Sequence, residues 1–134
     1  LVASLVHIPD PEVDLPFWNW IFRVQMAAMF ILARLHEDQD LASKKHPLRV
    51  ICEGVIDWPV IAAAVALRRL VDTRPELENQ VGDIYHSLLK RLAREGACCF
   101  DLDVIRCYLS LPNLPEELRE GLQQDLDSLL AEEY

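Results

Sequence analysis

The segment that comes closest to a metal-binding motif is residues 36–40, His-Glu-Asp-Gln-Asp. A zinc-binding HExxH helix needs a second histidine one turn after the first, so that both imidazole nitrogens face one metal ion. Asp40 stands where that second histidine is required. The segment also lacks the glycine and the terminal glutamate of a calcium-binding loop. We therefore interpret it as a solvated acidic loop and predict no metal site there.

Cysteines and one histidine supply the other candidate chemistry: Cys98, Cys99, Cys107 and His86. Adjacent cysteines point their side chains apart, and no Cys-x-x-Cys pair exists, so a zinc site is not indicated. A nucleophilic Cys99 served by His86 would need an electropositive pocket, whereas acidic residues follow it closely. We expect thiols that fill gaps between helices. Because a glycine-rich phosphate loop and a serine nucleophile elbow are also missing, we predict no catalytic residue, no metal ligand and no cofactor.

Charge and cysteine usage limit the partners and the compartment. The net charge is −9, and residues 101–134 alone hold nine acidic residues and two arginines. Such a surface repels phosphate groups, so we expect neither nucleic acid nor an anionic membrane as a partner. The four cysteines are too irregularly spaced for a disulfide framework, which favours reduced thiols in the cytoplasm. The chain lacks an initiator Met and a secretory signal, and it reads as a possible part of a longer protein.

Helices must position these residues. We predict that residues 1–134 form a single helical domain. Three prolines in residues 9–16 predict that 1–16 form an extended lead-in, with Asp14 capping the first helix. From Phe17 to Leu35 nearly every side chain is apolar, except for one narrow polar stripe that contains Arg23. A charged residue at the centre of a bilayer costs about 2.5–3.5 kcal/mol, so a helix buried between neighbours is favoured over a membrane span.

The middle of the chain predicts three further helices. Residues 36–46 are mainly polar and indicate a solvated connection, after which Pro47 opens a short helix that buries Val50, Ile51 and Val55. Asp57 then starts an alanine-rich apolar helix over 60–71. Thr73 and Glu76 form a capping-box pattern for the next helix, which Gly96 ends. Its apolar face repeats every three, four or seven residues: Leu77, Val81, Ile84, Leu88, Leu89 and Leu92.

Two more helices complete the chain. Asp101 is expected to cap a helix through Leu111, and residues 112–115 break it because they contain two prolines. A final helix from Pro115 to about Glu133 carries a leucine face that should be buried: Leu118, Leu122, Leu126, Leu129 and Leu130. The same helix should display its acidic residues to solvent: Glu116, Glu117, Glu120, Asp125 and Asp127. No segment shows the alternation of a β-strand.

Helix starts recur at a nearly constant interval. Asp14-Leu-Pro-Phe-Trp, Asp57-Trp-Pro-Val-Ile and Asp101-Leu-Asp-Val-Ile are separated by 43 and then 44 residues. Units 14–56, 57–100 and 101–134 would then each be a helical hairpin. In period and two-helix organisation this resembles HEAT and armadillo repeats. The resemblance implies an α-solenoid of stacked hairpins whose surface recognises another protein; an irregular helical bundle is the alternative fold.

The primary hypothesis is a non-catalytic scaffold domain that binds a protein partner, because apolar content is high and no chemistry is assembled. The acidic final helix would suit a partner with basic segments. Trp18 and Trp20 are further candidate contacts, since aromatic anchors dominate many interfaces. The competing hypothesis is an enzyme or small-ligand binder with a pocket between helices, supplied by Tyr85, His86 and Cys99. A homodimer joined through residues 17–35 is the third.

Overall fold

The computed structural model of the chain describes residues 15–43, 45–54, 58–96 and 100–133. Its helices are α1 (Leu15–Leu35), α2 (Pro47–Glu53), α3 (Trp58–Thr73), α4 (Glu78–Glu95), α5 (Asp101–Leu109) and α6 (Glu116–Glu133), with a 3-10 turn at Pro75–Leu77 before α4. Within these ranges the regular structure is entirely helical and contains no strand. The prediction of an all-α chain is confirmed.

Helix α1 begins two residues earlier than predicted. Leu15 and Pro16 already belong to it, so the lead-in cannot extend to residue 16, while the predicted cap Asp14 lies outside the described residues. Proline is compatible with the first turn because the amide it lacks has no partner inside the helix. Farther along, Arg23 is exposed, whereas Gln25 is fully buried. None of the helices in the described ranges is both long enough and apolar enough to cross a bilayer.

Helix α3 is the centre of the molecule. It packs against four other helices, α1, α2, α4 and α5. Four of its small residues have no exposed surface: Ala62, Ala63, Ala64 and Ala66. Small side chains on several faces allow helix axes to approach closely from more than one direction. The predicted apolar run over 60–71 therefore forms the core, as its composition indicates.

The capping box predicted between α3 and α4 does not form. Thr73 is the last residue of α3, and its hydroxyl donates to the carbonyl oxygen of Leu70 at 3.2 Å. Glu76 accepts a hydrogen bond from Arg74 Nε at 2.6 Å, and this contact lowers the pKa of Glu76. The chain instead passes into α4 through the 3-10 turn opened by Pro75. The predicted helix is present, but it begins after a 3-10 turn and not at a capping box.

Helix α4 shows the apolar face that its spacing predicts. Five of the six expected residues are buried and Leu89 is half-buried. Tyr85 is also fully buried, and its hydroxyl donates to the carbonyl oxygen of Ala64, which joins α4 to α3. Gly96 ends the helix at φ 70°, a left-handed conformation that glycine adopts without steric cost.

The connection from α1 to α2 is less solvated than predicted. Leu41 and His46 have almost no exposed surface, and His46 Nδ1 caps α2 by accepting from the Leu48 amide at 3.2 Å. The predicted buried face of α2 is also wrong, because Val50 is 51% exposed and Leu48 and Cys52 are buried instead. Ile51 is half-buried, and Val55 lies outside the described residues.

Helices α5 and α6 form the C-terminal pair. Helix α5 ends at Leu109, two residues before the predicted Leu111, and Asp101 is its first residue rather than its cap. Helix α6 packs chiefly on α5 and buries Leu122 fully, whereas the other four predicted leucines are half-buried. The leucine face is thus correctly placed, but only part of it is covered within the described chain.

Candidate functional site

Residues 36–40, the segment closest to a metal-binding motif, lie in the turn that follows α1. His36 Nδ1 lies 3.1 Å from Gln39 Oε1, and its ring centroid is 6.3 Å from that of His46. Asp40 accepts a hydrogen bond from the Ala42 amide at 2.9 Å, as in an ordinary turn. Across the described part of the chain, no group of three or more metal-ligating side chains occurs.

The thiols that the structure describes are not activated. Burial raises the pKa of Cys52 to about 12 and that of Cys107 to about 11, so both are protonated at neutral pH. Cys98 and Cys99 lie outside the described residues. The pocket predicted from Tyr85, His86 and Cys99 is not supported, since Tyr85 is buried and hydrogen-bonded inside the core while His86 is exposed.

The aromatic candidates Trp18 and Trp20 lie in the first turns of α1, and their side chains are outside the described part of the structure. Farther along α1, Ile31 is 47% and Leu35 is 68% exposed. These two residues are one turn apart and therefore share a face of the helix. An apolar edge is thus present on the helix for which an intermolecular role was predicted.

The five predicted acidic residues of α6 are all exposed, but they do not form one face. At about 100° per residue, Glu116, Glu120 and Asp127 fall within about 40° of one another around the helix axis. Glu117 is about 60° or more away from these three, and Asp125 lies roughly on the opposite side. No ion pair involving any of the five is formed with another described residue. Among the five acids, only Glu116, Glu120 and Asp127 share one side of the helix and can therefore contact the same ligand.

Two of these three residues, Glu116 and Glu120, border a groove between α5 and α6. The groove has a volume of about 510 Å³, and two half-buried leucines line it together with charged and uncharged polar side chains: Arg106, Leu109, Ser110, Glu116, Arg119, Glu120, Gln123 and Leu126. Arg119 is held within the protein, because its guanidinium donates to the carbonyl oxygens of Leu109 and Leu111 at 3.1 and 3.3 Å. The two glutamates thus stand beside an apolar floor with exposed carboxylates. Sequence reasoning found the glutamates but missed the groove, which needs the angle between the two helices.

A second concavity, the α2–α4 cleft, is smaller and was not predicted. It has a volume of about 220 Å³ and lies between α2 with its preceding loop and the exposed edge of α4. Residues on one face of α4, spread over about three turns, form one wall: Gln80, Asp83, Ile84, Ser87, Leu88 and Arg91. The other wall comes from Leu41, Ala42, Arg49, Cys52 and Glu53. Each wall therefore carries one arginine and one acid beside aliphatic side chains.

The arginines of this cleft have structural partners. Arg49 Nε donates to Glu53 at 2.8 Å, and its Nη1 donates to the carbonyl oxygens of Leu41 and Ala42 at 2.9 and 3.0 Å. Arg91 donates to the carbonyl oxygens of Cys52, at 2.8 Å, and of Gly54. The carbonyl groups at a helix C-terminus lack partners within the helix. Arg91 therefore fastens the end of α2 to α4.

No protein-family model, no curated protein and no solved structure matches this chain. What the two concavities can do must follow from their own side chains.

Proposed function

We propose that this chain is a non-catalytic interaction domain that binds a protein partner through the groove between α5 and α6. The observation that carries the proposal is the pair Glu116 and Glu120, whose exposed carboxylates border a groove floored by Leu109 and Leu126. A partner segment with Lys or Arg beside apolar side chains is complementary to that arrangement. The leucines of α6 that stay half-buried would be covered further by such a segment.

We further propose that the helices stack as repeated hairpins of the HEAT type. Helix α3 contacts both α1 and α5, as expected if these three are the first helices of successive units. Helix α2 also contacts α4, which joins the second helices of the first two units. This order of contacts supports stacking in a solenoid, and an irregular bundle would not require it.

Charge reversal with a matched control tests the interaction. Partners captured on the immobilised chain are identified, and the affinity of each purified partner is then measured for E116K/E120K and for E117K/D125K. Both variants change the net charge equally, and each reverses one first-turn acid of α6, so their effects on the helix dipole are alike.

We expect E116K/E120K to weaken binding by about tenfold or more, because it places like charges opposite the partner's basic groups. The control should keep most of the affinity. Equal losses for the two variants would show only a general charge effect, and an unchanged affinity in E116K/E120K would exclude the groove.

A homodimer through α1 remains a second candidate because Ile31 and Leu35 present an exposed apolar edge there. Light scattering of the purified chain separates the two assignments: a dimer has twice the monomer mass of 15.4 kDa. A dimer that is dissociated by I31E/L35E would support this candidate, whereas a monomer at all concentrations would remove it.

A further inference from the structure

The groove between α5 and α6 has unpaired charges of opposite sign on its two helices. Glu116 and Glu120 belong to α6, and Arg106 belongs to α5. None of the three forms an ion pair with another described residue. The second arginine of the groove, Arg119, is turned toward carbonyl oxygens at the end of α5. A complementary ligand therefore presents positive charge to α6 and negative charge to α5.

Half-buried leucines supply the apolar part of the lining, Leu109 from α5 and Leu126 from α6. The same ligand thus needs three different sides: a basic side, an apolar side and an acidic side. An extended strand has only two faces, because successive side chains alternate between them. A helix turns by about 100° per residue and can present all three.

Backbone hydrogen bonding favours the same form of ligand. The described ranges contain no strand, so they offer no sheet edge to which an extended segment could add. Polar groups of the groove are already used within the chain: the Ser110 hydroxyl donates to the carbonyl oxygen of Cys107 at 2.7 Å, and Gln123 Nε2 donates to Asp127 at 3.0 Å. An extended backbone over the leucines would leave N–H and C=O groups without partners, whereas a helix pairs them internally.

The acidic side of the groove sets the spacing on the ligand. Glu116 and Glu120 are one turn apart, about 6 Å along the axis, which is also the spacing of residues i and i+4 on a second helix. Gln123 and Asp127 continue the same side of α6, because all four residues fall within about 60° around its axis. The row is about 16 Å long, so a helix of about three turns can span it.

We propose that the occupant of the groove is an α-helix of the partner protein, about three turns long. Lys or Arg residues three or four positions apart on this helix face Glu116 and Glu120. Its apolar side chains cover Leu109 and Leu126, and one Asp or Glu faces Arg106. The identity of this occupant rests on the proposed function, because it concerns the same groove.

A library of random peptides of about 16 residues, long enough for four helical turns, tests the form of the ligand. The peptides are selected on the immobilised full chain and counter-selected on E116K/E120K. We expect the enriched peptides to carry two basic residues three or four positions apart and to show helical Cα chemical shifts by NMR when bound. A proline at the centre of an enriched peptide should weaken binding at least tenfold, because it interrupts the helix.

Charge exchange at Arg106 tests the acidic side of the bound helix. R106E should weaken the enriched peptides at least tenfold, and replacing their Asp or Glu by Lys should restore the affinity. R94E makes the same change of charge on the exposed side of α4, outside the groove, and should keep the affinity within about twofold.

Several results would overturn the proposal. Peptides that depend on Glu116 and Glu120 but bind in an extended form, or that tolerate the proline, would leave the proposed function standing and exclude the helix. Equal effects of R106E and R94E would exclude the contact with Arg106. If no peptide depended on the two glutamates, the groove itself would be excluded as the binding site. A dimer of the chain that E116K/E120K dissociates would make a second copy the occupant.

Discussion

At the scale of single residues, His46 shows how a side chain expected in solvent becomes part of the core. Its imidazole is buried, accepts the Leu48 amide at Nδ1 and lies beside His36. Burial first, and then the neighbouring His36, lowers the pKa of His46 below its ordinary value of 6.5. Protonation would turn the capping acceptor into a donor that faces another donor.

The sign of the resulting pH dependence follows from proton linkage. The unfolded chain binds a proton at His46 more readily than the folded chain does, so acidification favours unfolding. The contribution of His46 is fully present above about pH 6.5 and is lost as the pH falls toward the lowered folded pKa.

We expect His46→Asn to keep the cap, because asparagine also accepts an amide at that position, but to remove the titration. Urea unfolding between about pH 5 and pH 7 should show a stability that rises with pH more steeply in the parent than in the variant. Parallel pH profiles would contradict the account.

The capping box predicted at Thr73, which does not form, is a second case in which packing decides the role of a single residue. The residues of the motif are present in the sequence, but Thr73 belongs to the last turn of α3. Its hydroxyl therefore donates to the carbonyl oxygen of Leu70 instead of accepting from an amide of α4. A short motif cannot reveal which of two adjacent helices will include the shared residue, because that depends on packing in three dimensions.

At the scale of helices, length decides how well an apolar face can be predicted. Helix α4 has 18 residues, and repeated spacing fixes the phase of its apolar face. Helix α2 has only 7 residues, which is too short for the spacing of apolar residues to repeat. The sequence therefore does not show whether the face with Val50 or the face with Leu48 is buried. The cleft and the groove were beyond sequence reasoning because their walls come from different helices.

Arginines fasten several helix ends in this protein. Arg68 donates to Ser110 after α5, at Oγ and at the carbonyl oxygen, and Arg119 donates to the carbonyl oxygens of Leu109 and Leu111. Arg91 does the same for α2.

Replacing Arg91 tests this fastening of helix ends. Arg91→Met keeps the aliphatic stem but removes both donors, so we expect a loss of about 2 kcal/mol in the free energy of unfolding. Hydrogen exchange should also become faster at the amides of 48–54, since the end of α2 is released.

Arg94→Met is the matched control, because Arg94 is exposed on the same helix. It should change stability by no more than about 0.5 kcal/mol. If the two variants lost equal stability, or if α2 exchanged no faster in Arg91→Met, the role assigned to Arg91 would be incorrect.

At the scale of the whole molecule, the all-helical fold could be predicted from proline positions, apolar spacing and the absence of alternation. The proposed binding surfaces could be predicted only in part. The five acids of α6 were correctly expected to be exposed, but helical rotation divides them between different sides. The order in which α1, α3 and α5 pack required the structure, since equal spacing of helix starts is compatible with more than one arrangement.

The measurement that tests the central claim most directly is hydrogen exchange of the chain with and without a captured protein partner. If the groove between α5 and α6 is the docking site, exchange should slow at residues 106–111 and 116–126 and stay unchanged across α1. Slower exchange confined to α1 or to the walls of the α2–α4 cleft, with the groove unaffected, would contradict the proposed function.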